Sequence, residues 1–411
     1  MTEPTDNREF AVVVWGATGF TGALVTEYLL QKYGVTSEFK WAIAGRNQSK
    51  LDALKATLGA PELDTIVADS FAADSLARMA GRTRVVLTTV GPYAHYGTAL
   101  VAACAELGTD YCDLAGEVPW IRRMIDAHEA SAAVSGARLV NCCGFDSVPS
   151  DVGVWFLQET ARRRTGAYCR SVTTFVRALK GAMSGGTVAS MMNVVREARA
   201  DPGVARLLSN PYALNPDPAF AGPDAQDQRG PRLDGTADTW TAPFIMAGIN
   251  TRIVRRSNAL LNFRYGRNFR YAEAIMTGNG PGGWLRAAAI STGIGFLVLA
   301  GSFDASRLLV ERKLLPKPGE GPDAGAREAG FFRLRQIGQL ADGTTLETQV
   351  TGDRDPGYGS TSKMISECAV ALAHGEASVP GGFWTPAAAL GRPLVRRLTE
   401  HAGLTFTASD Q

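Results

Sequence analysis

Cysteine is scarce and unpaired in this chain. There are six cysteines in 411 residues with no Cys-x-x-Cys spacing, and the four histidines (His95, His128, His374, His401) are scattered. These absences argue against a disulfide framework and against any metal site, and they favour a reduced, cytoplasmic setting. An excess of one charge is also missing, since 42 Lys and Arg stand against 40 Asp and Glu, a formal net charge of +2. A chain so balanced has no global pull toward nucleic acid or anionic membrane, and no nucleic-acid partner is expected. The first nine residues, MTEPTDNRE, are polar and partly acidic, so no signal peptide is expected. No internal repeat is evident. With 45% apolar and 20% charged residues the composition is that of an ordinary globular protein, and the length predicts two domains or one with a large insertion.

One apolar run tests the soluble reading. Ala287 to Phe303 carries 17 residues without a charge, between Arg286 and Asp304, and includes three glycines. That is the lower limit for a membrane span. Three accounts stand open: a buried helix or homodimer contact, a greasy wall or peripheral membrane contact over residues 284–303, and a transmembrane helix.

The most informative stretch is FAVVVWGATGFTG, residues 10–22. An apolar run, Phe10 to Trp15, stops at Gly16, and glycines recur at Gly19 and Gly22. This predicts a buried strand, a glycine-rich turn and a helix from Thr21 to about Lys32, the usual seat of a dinucleotide pyrophosphate. One glycine permits the tight turn, one lets backbone approach phosphate, and one lets helix pack on strand. The helix end offers free N–H groups and positive dipole to the anion. The expected contacts are Gly16, Ala17, Thr18, Gly19, Phe20 and Gly22. Because the spacing is GxxGxxG rather than GxGxxG, a turn without a ligand is the competing account.

Strand and helix then alternate through the first third. Lys40–Gly45, Asp64–Asp69, Arg84–Gly91, Asp110–Glu117 and Ala137–Gly144 read as further strands. Six strands joined by helices predict an α/β fold with a doubly wound parallel Rossmann sheet over residues 1–150. After Asp151 the pattern changes. Residues 201–240, rich in Pro, Gly, Asp and Asn, read as a long loop or flap, and Phe331–Val350, broken at Asp342-Gly343, reads as an antiparallel hairpin. A second α+β domain with an antiparallel sheet is expected over 151–355, for substrate or dimerisation. The helix Ser360–Ala373 opens a C-terminal segment, 356–411, that returns to the first domain.

The second strand ends in Ala44-Gly45-Arg46, without the carboxylate that holds the ribose of NAD. A guanidinium at that place suits a 2′-phosphate, so Arg46 points to NADPH; a solvated surface arginine is the alternative. Asp69 would lie beside the adenine or cap a helix. The loop from Gly91, Pro92 and Tyr93 through His95 leaves the carboxyl end of the fourth strand, where its backbone can pass the nicotinamide. Tyr93 and His95 are candidate proton donors there, or packing residues. Ser147, with Pro149 after it, reads as a helix N-cap whose positive end can stabilise an enolate or a carboxylate. The pair Tyr28 and Lys32 has short-chain-dehydrogenase spacing but lies inside the first helix, away from any site. Cys142 and Cys143 lack a positioned base, so a thiol nucleophile is not expected. Residues 252–270 hold six arginines and no acid, interleaved with aromatics, which suits a solvated face or an acidic partner such as an acyl carrier domain.

Several motifs together resemble a known family. GATGFTG (16–22), AGR (44–46), VVLTTVGPYAHYG (85–97), GTDYCDLAGE (108–117), CCGFDSVPSD (142–151) and TRIVRRSNAL (251–260) are similar to the saccharopine dehydrogenase-like family. The closer likeness is to its actinobacterial trans-acting enoyl reductase branch, from about residue 10 to about residue 400. The resemblance implies a Rossmann half with a mixed second domain, and reduction of a carbon–carbon double bond on a polyketide-derived acyl chain. It further implies action in trans for a polyketide synthase in cell-envelope lipid assembly. It assigns no catalytic residue. Two other readings remain: a saccharopine-type amino-acid dehydrogenase, which needs basic groups for substrate carboxylates, and a nonenzymatic NADP-binding regulator or scaffold.

Overall fold

The computed structural model describes residues 8–181, 184–301 and 321–409. Most of the amino-terminal segment on which the signal-peptide expectation rests therefore lies outside the described residues. The first unit runs β1 (Phe10–Trp15), α1 (Phe20–Tyr33), β2 (Trp41–Gly45), α2 (Gln48–Leu58), β3 (Asp64–Val67), α3 (Ala73–Ala80), β4 (Thr83–Thr88), α4 (Tyr93–Tyr96), α5 (Thr98–Leu107), β5 (Asp110–Cys112), α6 (Val118–Ser135) and β6 (Arg138–Val140). β1 is an unbroken apolar run because both its faces are covered. Val12 and Val14 enter one core, and Val13 and Trp15 enter the other. Its neighbours pair in parallel, Val13 opposite Ala42 on β2 and opposite Val86 on β4.

The chain continues through α7 (Val148–Thr165), β7 (Ser171–Lys180), α8 (Gly185–Ala200), α9 (Pro202–Ser209), β8 (Arg232–Asp234), β9 (Thr239–Pro243), α10 (Ala247–Leu260), β10 (Arg270–Gly278), α11 (Gly280–Gly301), α12 (Ala324–Glu328), β11 (Phe331–Gln339) and β12 (Thr345–Gly352). A π-turn at Pro356–Ser360 leads to α13 (Thr361–Ala373), β13 (Gly382–Trp384), α14 (Pro386–Glu400) and β14 (Leu404–Ala408).

The first sheet has the order β3-β2-β1-β4-β5-β6-β13, all parallel. Its first six strands follow the doubly wound dinucleotide-binding arrangement, which puts the ligand crevice at the carboxyl ends beside β1. The seventh, β13, was missed in the sequence because three residues carry no readable alternation. The second sheet, β14-β12-β11-β7-β10-β9-β8, is mixed rather than antiparallel, since β7 and β10 run parallel. The hairpin at Asp342-Gly343 forms as expected, joining β11 to β12.

Other expectations need correction. Residues 201–240 are not one loop, for Asp201 caps α9 by accepting from Gly203 N–H, and Arg232–Asp234 pairs with β9. A boundary at 150 falls inside α7, whose buried Val148 and Val152 share one core with Phe332 and Val350 of the second sheet. Met364, Ile365 and Cys368 of α13 pack in the core with Val12 and Val85 of the first sheet. Strand β14 then rejoins the second sheet against β12.

Candidate functional site

Gly16 has φ 87°, the left-handed region open to glycine, and its carbonyl accepts from Gly19 N–H at 3.0 Å. A Cβ on Gly22 would overlap that same carbonyl, so α1 can approach the turn this closely only through glycine. No side chain caps α1, whose N-cap is Gly19. Its first-turn N–H groups are thus available to an anion. Arg46, at the carboxyl end of β2, is exposed and has no partner among the described residues. These features fit a dinucleotide carrying a 2′-phosphate.

A cavity of about 930 Å³ opens from this cradle. Its floor is the carboxyl edge of the sheet: Gly19 to Gly22 after β1, Gly91 to Tyr93 after β4, Leu114 and Gly116 after β5, and Gly144 to Asp146 after β6. The far wall is apolar, with Met191, Val194 and Val195 of α8, Leu208 of α9, and Ile245, Met246 and Ile249 at α10. Among the described residues only Asp146, Asp227 and Arg252 bring formal charge to the wall. Both terminal nitrogens of Arg252 are engaged by its neighbours, Nη1 donating to Asp227 Oδ2 at 2.9 Å and to the Gly248 carbonyl and Nη2 to the Leu208 carbonyl, while its buried Nε has no partner among the described residues. Asp146 has no hydrogen-bond or ion-pair partner among the described residues, and burial pushes its carboxyl up to about 7.

Residues 12–140 match the saccharopine dehydrogenase NADP-binding domain. Over 95% of this chain and 96% of the relative, the sequence is 43% identical to a Mycobacterium tuberculosis protein that carries the trans-acting enoyl reductase name. Identity to the trans-acting enoyl reductase of Mycobacterium leprae is 39%, over 96% of each chain, and to that of Mycobacterium ulcerans 38%, over 98% of each. The chain belongs to the trans-acting enoyl reductase family. Among solved structures, apo saccharopine dehydrogenase (L-Glu forming) from Saccharomyces cerevisiae shares the fold. It aligns with TM-score 0.54 and 13% identity, over 97% of this chain and 99% of that one.

In this family member the residues read from the sequence as proton donors do not stand ready for that role. The Tyr93 hydroxyl turns inward, donating to the Thr88 carbonyl at 3.1 Å and accepting from Leu114 N–H at 3.0 Å. Burial, with the negative charge of Asp113, holds its phenol well above the ordinary range. Tyr93 therefore ties the β4 and β5 loops together. His95 is exposed on α4 and is not part of the cavity wall. Ser147 precedes α7 but does not cap it; its buried hydroxyl donates to Asn250 Oδ1 at 3.2 Å. Asp69 neither caps α3 nor lines the cavity, and instead accepts from Phe71 N–H at 2.9 Å in a local turn.

The arginine run is also not a free surface. Arg255 donates to Asp224 and to the Tyr271 carbonyl, and Arg256 donates to the Leu214 and Phe383 carbonyls, all in the interior. With Arg252 spoken for, only Arg264, Arg267 and Arg270 reach the surface, so the run carries no argument for an acidic partner.

Three residues in or beside the cavity were not singled out in the sequence. Glu117, buried, accepts from Tyr93 N–H (2.7 Å), Ala94 N–H (3.0 Å) and Ser190 Oγ (2.8 Å), joining α4 to α8. Tyr358 packs edge-on against Phe20 (4.8 Å between ring centroids), and its hydroxyl accepts from Gly185 N–H. Asp146 is the third; its signal, the lack of a hydrogen-bond or ion-pair partner among the described residues, exists only in three dimensions.

Proposed function

We propose that this chain is an NADPH-dependent enoyl reductase that saturates a carbon–carbon double bond of a polyketide-type acyl thioester. The acyl chain would be presented on the carrier domain of a synthase that lacks the step, during cell-envelope lipid assembly. The observation that carries the reading is the charge balance of the cavity wall: apolar side chains, one arginine already matched by Asp227, and no further cation among the described residues. A dicarboxylic amino acid, as a saccharopine-type substrate, requires unspent basic groups, so an uncharged acyl chain is favoured.

When bound, NADPH supplies the hydride for the β-carbon of the substrate. The chain's own residues do the rest. The cradle at Gly16, Gly19 and Gly22 and the α1 N-terminus hold pyrophosphate, and Arg46 pairs with the 2′-phosphate. The loop Gly91 to Tyr93, pinned by Glu117, sets the nicotinamide side of the crevice. The α8 and α10 side chains keep water from the acyl chain. A strain lacking this protein should accumulate lipids lighter by two hydrogens, read by mass spectrometry. An unchanged lipid profile, with no NADPH consumption on any enoyl thioester in vitro, counts against the proposal.

We also propose that the protein rests on the inner face of the plasma membrane through α11. Gly280–Leu299 is long and apolar enough to span a bilayer, yet only 11% of its most apolar window is buried. None of its described residues lines the cavity, so of the three accounts open in the sequence the greasy wall has no support there. Residues 302 and 303 of that apolar run lie outside the described residues. Phe296 (67% exposed) and Val298 (44%) lie about 200° apart around the helix at about 100° per residue. A protein partner or second copy covers one side of a helix, whereas a helix end dipped into the bilayer from that face is covered all round. Lipid is therefore the occupant that matches this end of α11.

A further inference from the structure

We propose that Asp146 is the acid that delivers the proton to the α-carbon of the substrate, an assignment that rests on the enoyl reductase reading above. Four observations converge on it. Asp146 follows β6, whose carboxyl end belongs to the nicotinamide half of a sheet with this strand order. It lines the cavity together with Gly91 and Pro92 from the β4 loop and Gly116 from the β5 loop. A Cβ on Gly116 would stand 4.0 Å from Asp146 Oδ2, in ordinary contact, so the absence of a side chain there keeps the space beside the carboxyl open. Finally, no hydrogen bond, ion pair or capping role among the described residues explains a partly buried carboxyl in this place. An unpartnered carboxyl in a nonpolar cleft costs stability, and such a group persists where chemistry uses it.

The other titratable groups facing the cavity are committed elsewhere. Tyr93 bonds to Thr88 and Leu114. Asp227 on the far side is held by Arg252 and by Thr251 Oγ1. The Tyr358 hydroxyl accepts from Gly185 N–H beside Phe20, near the pyrophosphate cradle. On Asp146's own segment, buried Cys142 bonds to the Ala115 carbonyl, and Asp151 accepts from Ser257 Oγ and Ala387 N–H. None of them bonds to Asp146.

The step balances as follows. The hydride forms the new C–H bond at the β-carbon, and the C=C π pair moves toward the thioester carbonyl to give an enolate. The enolate pair takes the Asp146 proton to form the second C–H bond, and the carboxylate left behind regains a proton from solvent. The products are NADP+ and the saturated thioester. A carboxyl raised to about 7 by burial keeps about half of its acid form at neutral pH, enough to serve the role.

The test compares the full chain with Asp146→Asn and Asp146→Glu. With an enoyl thioester, the unaltered protein should lose kcat as pH rises through about 7, because the acid form is consumed. Asp146→Asn should lower kcat about 100-fold or more, abolish that alkaline limb and leave NADPH affinity, read by nicotinamide fluorescence, within about 2-fold. Asp146→Glu should recover part of the rate. In D2O the unaltered protein should place deuterium on one face of the α-carbon, and the asparagine variant on both.

A readout independent of turnover is the melting temperature. The folded carboxyl titrates above its unfolded value of 3.8, so the unaltered protein loses stability as pH rises from about 4 to about 7. The Asn variant should therefore gain in melting temperature relative to it from about pH 4 to about pH 7 and hold that gain above. Unchanged kcat and an intact alkaline limb in Asp146→Asn, while the unaltered protein turns over, overturn the assignment alone. A melting difference that does not grow with pH also overturns it. If the unaltered protein reduces no enoyl thioester, the functional reading fails and the assignment goes with it.

Discussion

Gly22 and Gly16 are in backbone contact: the α-carbon of the first lies against the carbonyl of the second, with no room for a Cβ between them. This contact fixes where α1 begins and so, on our proposal, where its N–H groups would meet a phosphate. Gly22→Ala must push helix from turn, and overpacking of this kind costs about 2 kcal/mol. We expect a lower denaturation midpoint and loss of NADPH fluorescence enhancement. A variant with normal cofactor affinity would show that the cradle does not hold the pyrophosphate.

On our proposal Arg46 makes the choice between cofactors. It is exposed and unpaired among the described residues, so removing it should disturb nothing else. Arg46→Ala should weaken NADPH binding about 10-fold and leave NADH binding unchanged, a difference of about 1.4 kcal/mol. Isothermal titration with both nucleotides measures it.

Tyr93→Phe separates a tether from a proton donor. Loss of the bonds to Thr88 and Leu114 should cost about 1 kcal/mol of stability, with kcat changed by no more than about 3-fold and its pH profile kept. A loss of about 100-fold in kcat without destabilisation would restore Tyr93 as the acid.

How much of this was legible in the sequence depended on how far each signal reaches along the chain. Gly16, Gly19 and Gly22 were readable because their demand is steric and local. The order of the first six strands followed from βα alternation. Arg255 and Arg256 misled because the atoms that pair them lie far off in sequence: Asp224 is 31 residues from Arg255, and the Phe383 carbonyl 127 residues from Arg256. The hydroxyl of Ser147 likewise went to Asn250, 103 residues away, instead of to the helix it precedes. The strand at Gly382–Trp384 exists only because the edge of β6 offers it a ladder. Pattern alone cannot tell that a carboxyl such as Asp146 lacks partners.

The outer end of α11 should bind lipid. Replacing Phe296 and Leu299, 67% and 58% exposed, by Asp removes apolar surface left open by the described residues. Co-sedimentation with phosphatidylglycerol vesicles should fall about 10-fold while melting temperature and NADPH affinity hold. If the unaltered protein does not sediment with vesicles but self-associates in ultracentrifugation, α11 is a dimer contact instead.

The account turns on the cofactor and substrate meeting in one cavity. The decisive measurement is NADPH oxidation by the purified chain on presentation of an α,β-unsaturated acyl thioester, beside a glutamate-linked imine at equal concentration. Loss of NADPH absorbance with the thioester, formation of the saturated product and none with the imine is the predicted result. Tight NADPH binding without turnover of any enoyl thioester, or turnover of the imine instead, would contradict it.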